Sequence, residues 1–408
     1  MPGASTALSS RTLRACARRK HVVRCFCTAA DSRSVLFLAR VWPEPSSSAA
    51  GVRSYALATA FAGWGWDVSY LSSARRNAHA DSLAAEGCRV FCCPINREAE
   101  LAAVLAEAQP HVCIFDRMES EETFSFRVHE LAPTALRVLD MQDMVALRRG
   151  RQAVVEAGGS VAEALAHVPT AEYNILQREL AAIHRSDLTL VCSPVEMALL
   201  QGRYGVPADK LCLAPFFMRP GHQPSPVFAA RRHFMSIGNW KHAPNMDAAA
   251  WACREIWPQI RDAGKIVDAW AHGLPVVTTP IGAEGMHLDG SAAEPQAAAH
   301  SAWGGLWASC DADGLAADAA RLYTDPALWN ACAAGGARVL LRLYDAGTRL
   351  GAVRAAVEGA LAKLRERRAH DYYGSLLWQQ SARATEFFAR WLELKENRAA
   401  ASQGDKIM

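Results

Sequence analysis

The feature that most constrains the fold is a regular alternation of short apolar runs with longer stretches of helical periodicity. Seven apolar runs are typical of buried strands, and helical stretches separate most of them. These runs cover residues 35–39, 67–71, 89–93, 112–115, 136–139, 188–192 and 211–214. Strands that alternate with helices predict a parallel, doubly wound sheet with helices on its faces.

A proline-rich break then divides the chain. Pro215, Pro220, Pro224 and Pro226 surround Gly221, which predicts a linker between two domains. A second α/β unit follows, with predicted strands at 233–237 and 274–278 and a less regular one at 306–310. The tail over 351–398 has apolar residues at helical spacing and predicts a helix with one apolar face.

Composition excludes several classes of protein. There are 44 Lys and Arg against 41 Asp and Glu, and this near balance argues against a dedicated nucleic-acid binder. No run approaches the roughly 18 uncharged apolar residues of a transmembrane helix. Twelve cysteines occur without a CxxC pair, so the pattern favours buried free thiols in a reducing compartment over a zinc site.

The first 30 residues differ from the rest of the chain. Six Arg and Lys residues lie between Arg11 and Arg24, and no acidic residue precedes Asp31. This composition is typical of an organelle transit peptide, for a chloroplast or a mitochondrion. The alternatives are a disordered start or a gene-model artefact, with the protein in the cytoplasm.

Three strings in the first half place polar residues after predicted strands, where ligand sites of α/β proteins lie. In VLFLARVWPEPSSSAAGVR (35–53), Gly51 would let the backbone approach a sugar or phosphate, and Arg53 would lie near the cleft. The strings IFDRMESEE (114–122) and VLDMQDM (138–144) follow. Asp140 and Asp143 of the latter are candidates to orient acceptor hydroxyls. The alternatives are an ordinary loop at Gly51 and helix capping by the two aspartates.

Two strings in the second half contain residues typical of an anion-binding site. In SIGNWKHAPNMD (236–247), Asn245 is a good helix N-cap, the free amides of the helix can receive a diphosphate, and Lys241 can neutralise it. A simply well-capped helix is the alternative. The longest string is GKIVDAWAHGLPVVTTPIGAEGM (264–286), and its Gly-Ala-Glu-Gly loop has no evident packing purpose.

Together these strings resemble the group 1, family 4-like glycosyltransferases, over most of the chain from Ser34 onward. The resemblance implies a GT-B fold, in which two Rossmann-like doubly wound domains face a cleft. It implies that donor binding involves Asn239, Lys241, Lys265, Asp268, Gly282, Glu284 and Gly285. Asp268 takes the position of the second acid of the family's E-x7-E motif, which holds the ribose.

This chain departs from the pattern of the family at two points. Val145 stands where many relatives have a histidine, so no catalytic histidine is expected in the first half. The first acid of E-x7-E would fall at Ile260, and no strand fits between the predicted helix ending near Arg261 and the next helix at Lys265. We therefore expect that the donor-binding domain lacks an internal segment, through exon loss or a mispredicted splice.

The predicted organisation has five parts. Residues 1–33 form a transit peptide or disordered start, 34–215 the acceptor domain, 216–232 the linker, 233–350 a truncated nucleotide-sugar-binding domain, and 351–408 C-terminal helices and tail. The expected function is retaining glycosyl transfer from a nucleoside-diphosphate sugar to an acceptor hydroxyl. No cofactor, metal or nucleic acid is expected, since no metal-ligand cluster is evident.

Two alternatives to an active glycosyltransferase follow from the sequence. The missing segment favours a catalytically inactive relative that acts as a binding or scaffold protein. A nicotinamide-dependent oxidoreductase would need G-x-G-x-x-G after a strand. The nearest candidate, Gly63-Trp64-Gly65, precedes a strand and lacks the third glycine.

Overall fold

The seven strands predicted in the first half form one parallel sheet in a computed structural model. The structure describes residues 33–218, 227–230, 272–279, 282–286, 304–307, 312–382, 387–388 and 390–395, with single positions 246, 250 and 254. The predicted strand at 233–237 and the predicted gap near 261–264 lie outside the described residues. The predicted transit peptide lies outside them as well.

The sheet follows the doubly wound plan. Its strand order is β3-β2-β1-β4-β5-β6-β7. Strands β2 and β3 are added on one side of β1, and strands β4 to β7 on the other side. The point at which the strand order reverses therefore lies between β1 and β4. The strands are β1 (Ser34–Ala39), β2 (Asp67–Ser72), β3 (Arg89–Cys92), β4 (Val112–Asp116), β5 (Leu136–Asp140), β6 (Leu188–Val191) and β7 (Leu211–Leu213). Each lies within one or two residues of its predicted bounds.

Helices connect these strands and cover the sheet. They are α1 (Ala49–Gly63), α2 (Ala78–Ala85), α3 (Glu98–Ala108), α4 (Arg117–Leu131), α5 (Val145–Glu156), α6 (Val161–Ala166), α7 (Asn174–Arg185) and α8 (Pro194–Gly202). None of the described helices is long and apolar enough to cross a membrane.

Both faces of the sheet are buried, which explains why its strands are continuous apolar runs. On β1, Val35 and Phe37 enter one apolar cluster, whereas Leu36 and Leu38 enter the cluster on the opposite face. Successive side chains of a strand point to opposite faces, so a strand covered on both sides needs apolar residues at every position.

The register of the sheet brings two carboxylates together. β4 pairs with β5 so that Asp116 stands directly beside Asp140 at the final rung. Both residues end their strands, at the edge where loops leave the sheet. Parallel pairing therefore concentrates acidic groups next to the point where the strand order reverses.

The described part of the second half is a smaller α/β unit. β8 (Val276–Thr278) pairs in parallel with β9 (Gly305–Trp307). β8 lies inside the predicted strand 274–278, whereas β9 starts one residue before the predicted strand 306–310, of which 308–310 lie outside the described residues. Helices α9 (Ala312–Thr324) and α10 (Pro326–Leu343) follow. Val276, Ala283, Val339 and Leu340 form an apolar cluster between strand, loop and helix.

The chain then returns to the first sheet. The helical character predicted for the tail is present in the described residues, where it is divided among α11 (Ala346–Ala362), α12 (Leu364–His370) and α13 (Tyr372–Leu377). The breaks let polar residues reach the sheet: Lys210 Nζ lies 2.6 Å from Asp371 Oδ2, and Arg368 Nη2 lies 2.7 Å from Asp187 Oδ2. Periodicity alone does not record these tertiary ion pairs.

Candidate functional site

The candidate site lies at the carboxyl ends of β4, β5 and β6, beside the start of α1. Ligands of open α/β sheets bind in the crevice outside this edge, near the point where the strand order reverses. Here that point is between β1 and β4. The sequence-predicted residues Arg53, Asp140 and Asp143 all lie at this edge.

A buried ion pair forms the floor of the site. Arg53 Nη2 donates to Asp140 Oδ1 at 2.8 Å, and Arg53 Nε donates to the same oxygen at 3.0 Å. The exposed fractions of the two side chains are 0% and 3%. Arg53 Nη1 donates to the carbonyls of Ala214 and Pro215. The pair thus ties α1 to β5 and to the segment after β7, and the Asp140 carboxylate is occupied by protein groups.

This environment keeps the arginine charged. Burial by itself would lower the pKa of the Arg53 guanidinium, but the Asp140 carboxylate, together with Cys192 and Asp116, outweighs that effect and the pKa is raised. The ring of Phe217 lies beneath the guanidinium, with its centroid 5.1 Å from Cζ. A cation over an aromatic face is further stabilised by the ring quadrupole.

Gln142, which the sequence analysis did not single out, connects the two strand-end carboxylates. Its Nε2 lies 3.1 Å from Asp116 Oδ1, 3.2 Å from Asp140 Oδ2 and 3.1 Å from Ser54 Oγ. Burial raises the pKa of Asp116, and the neighbouring Asp140 charge adds to that shift. An amide between two acids reduces their repulsion, because it donates to both.

Two residues of this edge have left-handed backbone conformations without being glycine. Arg117 follows β4 with φ of 68°, and Gln142 lies two residues after β5 with φ of 63°. Such conformations cost free energy and persist where surrounding contacts enforce them, often at functional sites. Nothing in the residue types Arg and Gln signals this conformation in advance.

The helix α5 begins at this edge and is capped by distant glutamates. Glu196 Oε1 accepts from Met144 N at 2.8 Å, and the two oxygens of Glu179 accept from Val145 N at 2.6 Å and Ala146 N at 3.1 Å. Burial raises the pKa of both glutamates to about 7. Both glutamates are far from the start of α5 along the chain, so no local sequence pattern indicates that they cap it.

The aspartates of the 138–144 string therefore do not cap α5, which was the alternative considered for them. Asp143 instead lies at the surface, where its Oδ2 accepts from Arg148 Nε at 2.8 Å. Its side chain is 43% exposed. Of the two predicted aspartates, Asp143 is the one open to an approaching ligand.

Gly51 has a packing reason in this structure. A Cβ at this position would lie 2.3 Å from the carbonyl oxygen of Glu44. The missing side chain lets the loop after β1 fold over the start of α1, where Ser48 Oγ accepts from Gly51 N at 3.0 Å. Approach to a sugar or phosphate is not needed to explain this glycine.

The predicted donor loop lies at the same edge. Gly285 has φ of 74°, and a Cβ there would lie 3.2 Å from Pro194 Cγ at the start of α8. Glu284 forms a bidentate ion pair with Arg151 of α5. A Cβ at Gly282 would lie 2.3 Å from Thr278 Oγ1, so a side chain there would have to displace that hydroxyl.

The remaining predicted donor residues, Asn239, Lys241, Lys265 and Asp268, lie outside the described residues. Within the described ranges, no group of three or more His, Cys, Asp or Glu side chains is placed to hold a metal ion.

The chain is similar to known proteins in structure but not detectably in sequence. No family model matches the chain, and no curated protein matches its sequence. HepE of Anabaena in complex with UDP is similar in structure, with a TM-score of 0.55 and 12% identity over 80% of this chain and 100% of that one.

Two further solved structures are similar. Sucrose-phosphate synthase of Thermosynechococcus elongatus has a TM-score of 0.52 and 14% identity over 81% of this chain and 100% of its own. A glycosyltransferase of Rickettsia africae has a TM-score of 0.53 and 11% identity over 81% and 99%. With the seven-stranded parallel sheet, these likenesses show that the chain has the α/β fold of the GT-B glycosyltransferases, which are built from Rossmann-like domains.

Proposed function

We propose that the chain is a glycosyltransferase, which moves a sugar from a nucleoside-diphosphate donor to an acceptor hydroxyl. Fold alone does not determine function, so the proposal depends on the site. The observation that carries it is the position of the 282–286 loop. This loop ends the string that most resembles group 1 glycosyltransferases, and Gly285 packs against Pro194 at the edge where Asp116 and Asp140 end their strands.

The donor is assigned to the second half. In this proposal Lys241 and Lys265 neutralise the diphosphate, Asp268 binds the ribose, and Asn239 and the 282–285 loop complete the wall. Cations and helix amides would stabilise the charge that develops on the leaving diphosphate, which is the main requirement of the reaction. No metal is required if these groups carry that charge. HepE was solved with UDP and with UDP-glucose, which makes a uridine nucleotide the first donor to test.

The acceptor is assigned to the first half. Asp143 is exposed at the crevice, and its carboxylate can accept from a sugar hydroxyl. Arg53 and Asp140 are buried together, so we assign them the task of fixing the crevice floor. Retention of the anomeric configuration is part of this proposal, through the family resemblance.

We also propose that this form of the chain has low activity. The sequence leaves no room for strands between the predicted helices on either side of 261–264. A donor domain without them would misplace Lys241 relative to Lys265, and a small misplacement of such groups can cost about 100-fold in rate.

The test is binding and turnover with purified protein. UDP should bind in calorimetry, and UDP-glucose should be hydrolysed slowly. Asp268→Ala should weaken UDP binding by about 1.5–3 kcal/mol, the usual contribution of a hydrogen bond to a charged group. The control is Asp81→Ala, an exposed acid on α2. Equal UDP affinity in wild type and Asp268→Ala would contradict the donor assignment, and binding without hydrolysis would favour an inactive binding protein.

A further inference from the structure

An ion pair that joins α5 to the loop after β8 has a geometry suited to positioning. Arg151 Nη1 lies 2.5 Å from Glu284 Oε2, and Nη2 lies 2.7 Å from Oε1. Two parallel bonds of this kind fix orientation as well as distance. Arg151 belongs to α5, and Glu284 to the loop after β8.

The environment of the pair makes it more than a surface contact. The exposed fractions of the Arg151 and Glu284 side chains are 15% and 25%. Arg151 Nε is buried and has no hydrogen-bond partner among the described residues, and Nη2 reaches one further acceptor, Leu165 O, at 3.4 Å. Glu284 therefore provides the direct ion pair that offsets the burial of the Arg151 guanidinium.

The loop is held on both sides of Glu284. Ala283 is fully buried in the apolar cluster of the second half, with Val339 and Leu340 of α10. Gly285 lies against Pro194 of α8 and has a left-handed backbone conformation that favours glycine. The ion pair with Arg151 is therefore the contact that ties this loop to α5.

We infer that Arg151 is a positioning residue, which holds the 282–286 loop against the first half through Glu284 and so sets the width of the crevice between them. This inference rests on the proposed function in one respect: the loop it positions is the predicted donor loop. It gives Glu284 a task other than contact with the nucleotide. Neither residue touches the reacting atoms in this scheme.

The first test does not depend on any activity. Ala283 N donates to Thr279 O at 3.1 Å and Met286 N donates to Ala283 O at 3.1 Å, so both amides report on loop order by hydrogen exchange. Glu284→Gln or Arg151→Met should raise their exchange by about 10-fold, the ratio expected for a lost charge-assisted hydrogen bond. Combining the two changes should add little more.

The matched control is Arg149→Met, which removes the same charge from an exposed position of the same helix. It should leave the exchange of both amides unchanged. Arg151→Lys should give an intermediate value, because an ammonium keeps the charge but cannot form the two parallel bonds. If exchange in Glu284→Gln equals that of wild type, the bridge does not hold the loop and the inference fails.

The second test uses UDP as the probe. Glu284→Gln should weaken UDP affinity by about 10-fold, and Arg151→Met should do the same, again without additivity. If the Ala283 and Met286 amides exchange faster in these variants but UDP affinity is unchanged, Arg151 does not position the donor site and the inference is overturned. Faster exchange in a protein that binds no nucleotide in any variant would support the bridge and refute the proposed function, so the two failures are distinguishable.

Discussion

The buried pair of Arg53 and Asp140 provides the sharpest test of how the first half is built. The perturbation is Asp140→Asn, which removes one charge and preserves the shape of the side chain. The Arg53 guanidinium would then remain fully buried, with two backbone carbonyls and an amide in place of a carboxylate. An uncompensated charge in such a site is far more costly than a broken contact at the surface.

The magnitude follows from burial. Removing one partner of a buried ion pair usually costs about 3–5 kcal/mol, whereas exposed pairs contribute about 0–1 kcal/mol. A protein domain is stable by only about 5–15 kcal/mol, so Asp140→Asn should remove about a fifth or more of that stability. Replacing both partners by apolar residues, Arg53→Met with Asp140→Leu, should cost less than the two single changes together, because no charge is left unpaired.

The assay is urea unfolding followed by circular dichroism, with a second ion pair as reference. Arg76 and Asp81 also lie 2.8 Å apart, but their side chains are 54% and 63% exposed. Asp81→Asn should therefore shift the unfolding free energy by less than about 1 kcal/mol. If Asp140→Asn and Asp81→Asn cost the same, burial does not decide the strength of the pair and the reasoning is refuted.

Four further outcomes are expected. Burial raises the pKa of Glu179 and Glu196 from 4.5 to about 7, so their contribution to stability is full below about pH 4.5 and is lost as the pH rises through 7. Glu196→Gln should reduce the difference in unfolding free energy between about pH 5 and about pH 8, measured by urea unfolding. An unchanged difference would contradict the raised pKa of Glu196. Gly285→Ala should lower the melting temperature, because the left-handed backbone and Pro194 oppose a methyl group, whereas Gly63→Ala, with open space around it, should not. N-terminal sequencing of the native protein should find that the first 30 or so residues are absent, and a cytosolic chain that starts at Met1 would refute the transit peptide. Restoring the segment that we propose is absent after Arg261 should raise both donor hydrolysis and melting temperature; equal values would contradict that proposal.

Much of the fold was predictable because its signals are local. Each of the seven strands is a short apolar run, and a strand buried on both faces has to be apolar at every position. Helices between strands then leave a parallel sheet as the arrangement that buries those runs. The division of the tail into separate helices was less predictable, because Asp371 both caps α13 locally and accepts from Lys210 beside the first sheet.

The candidate site was predictable only in part, for the same physical reason. Sequence patterns brought Arg53, Asp140 and Asp143 to attention, since residues after parallel strands share one edge. They could not show that Arg53 and Asp140, 87 residues apart, neutralise each other in the interior and leave Asp143 exposed.

Local patterns in the chain therefore specify the succession of strands and helices and the edge of the sheet at which polar groups collect. The tertiary structure alone decided which of those groups pair. The left-handed Gln142, the glutamates that cap α5 and the bridge from Arg151 to Glu284 each join residues from separate elements. Hydrogen bonds and charge compensation act through space, so they leave no periodicity in the chain that a local pattern could report.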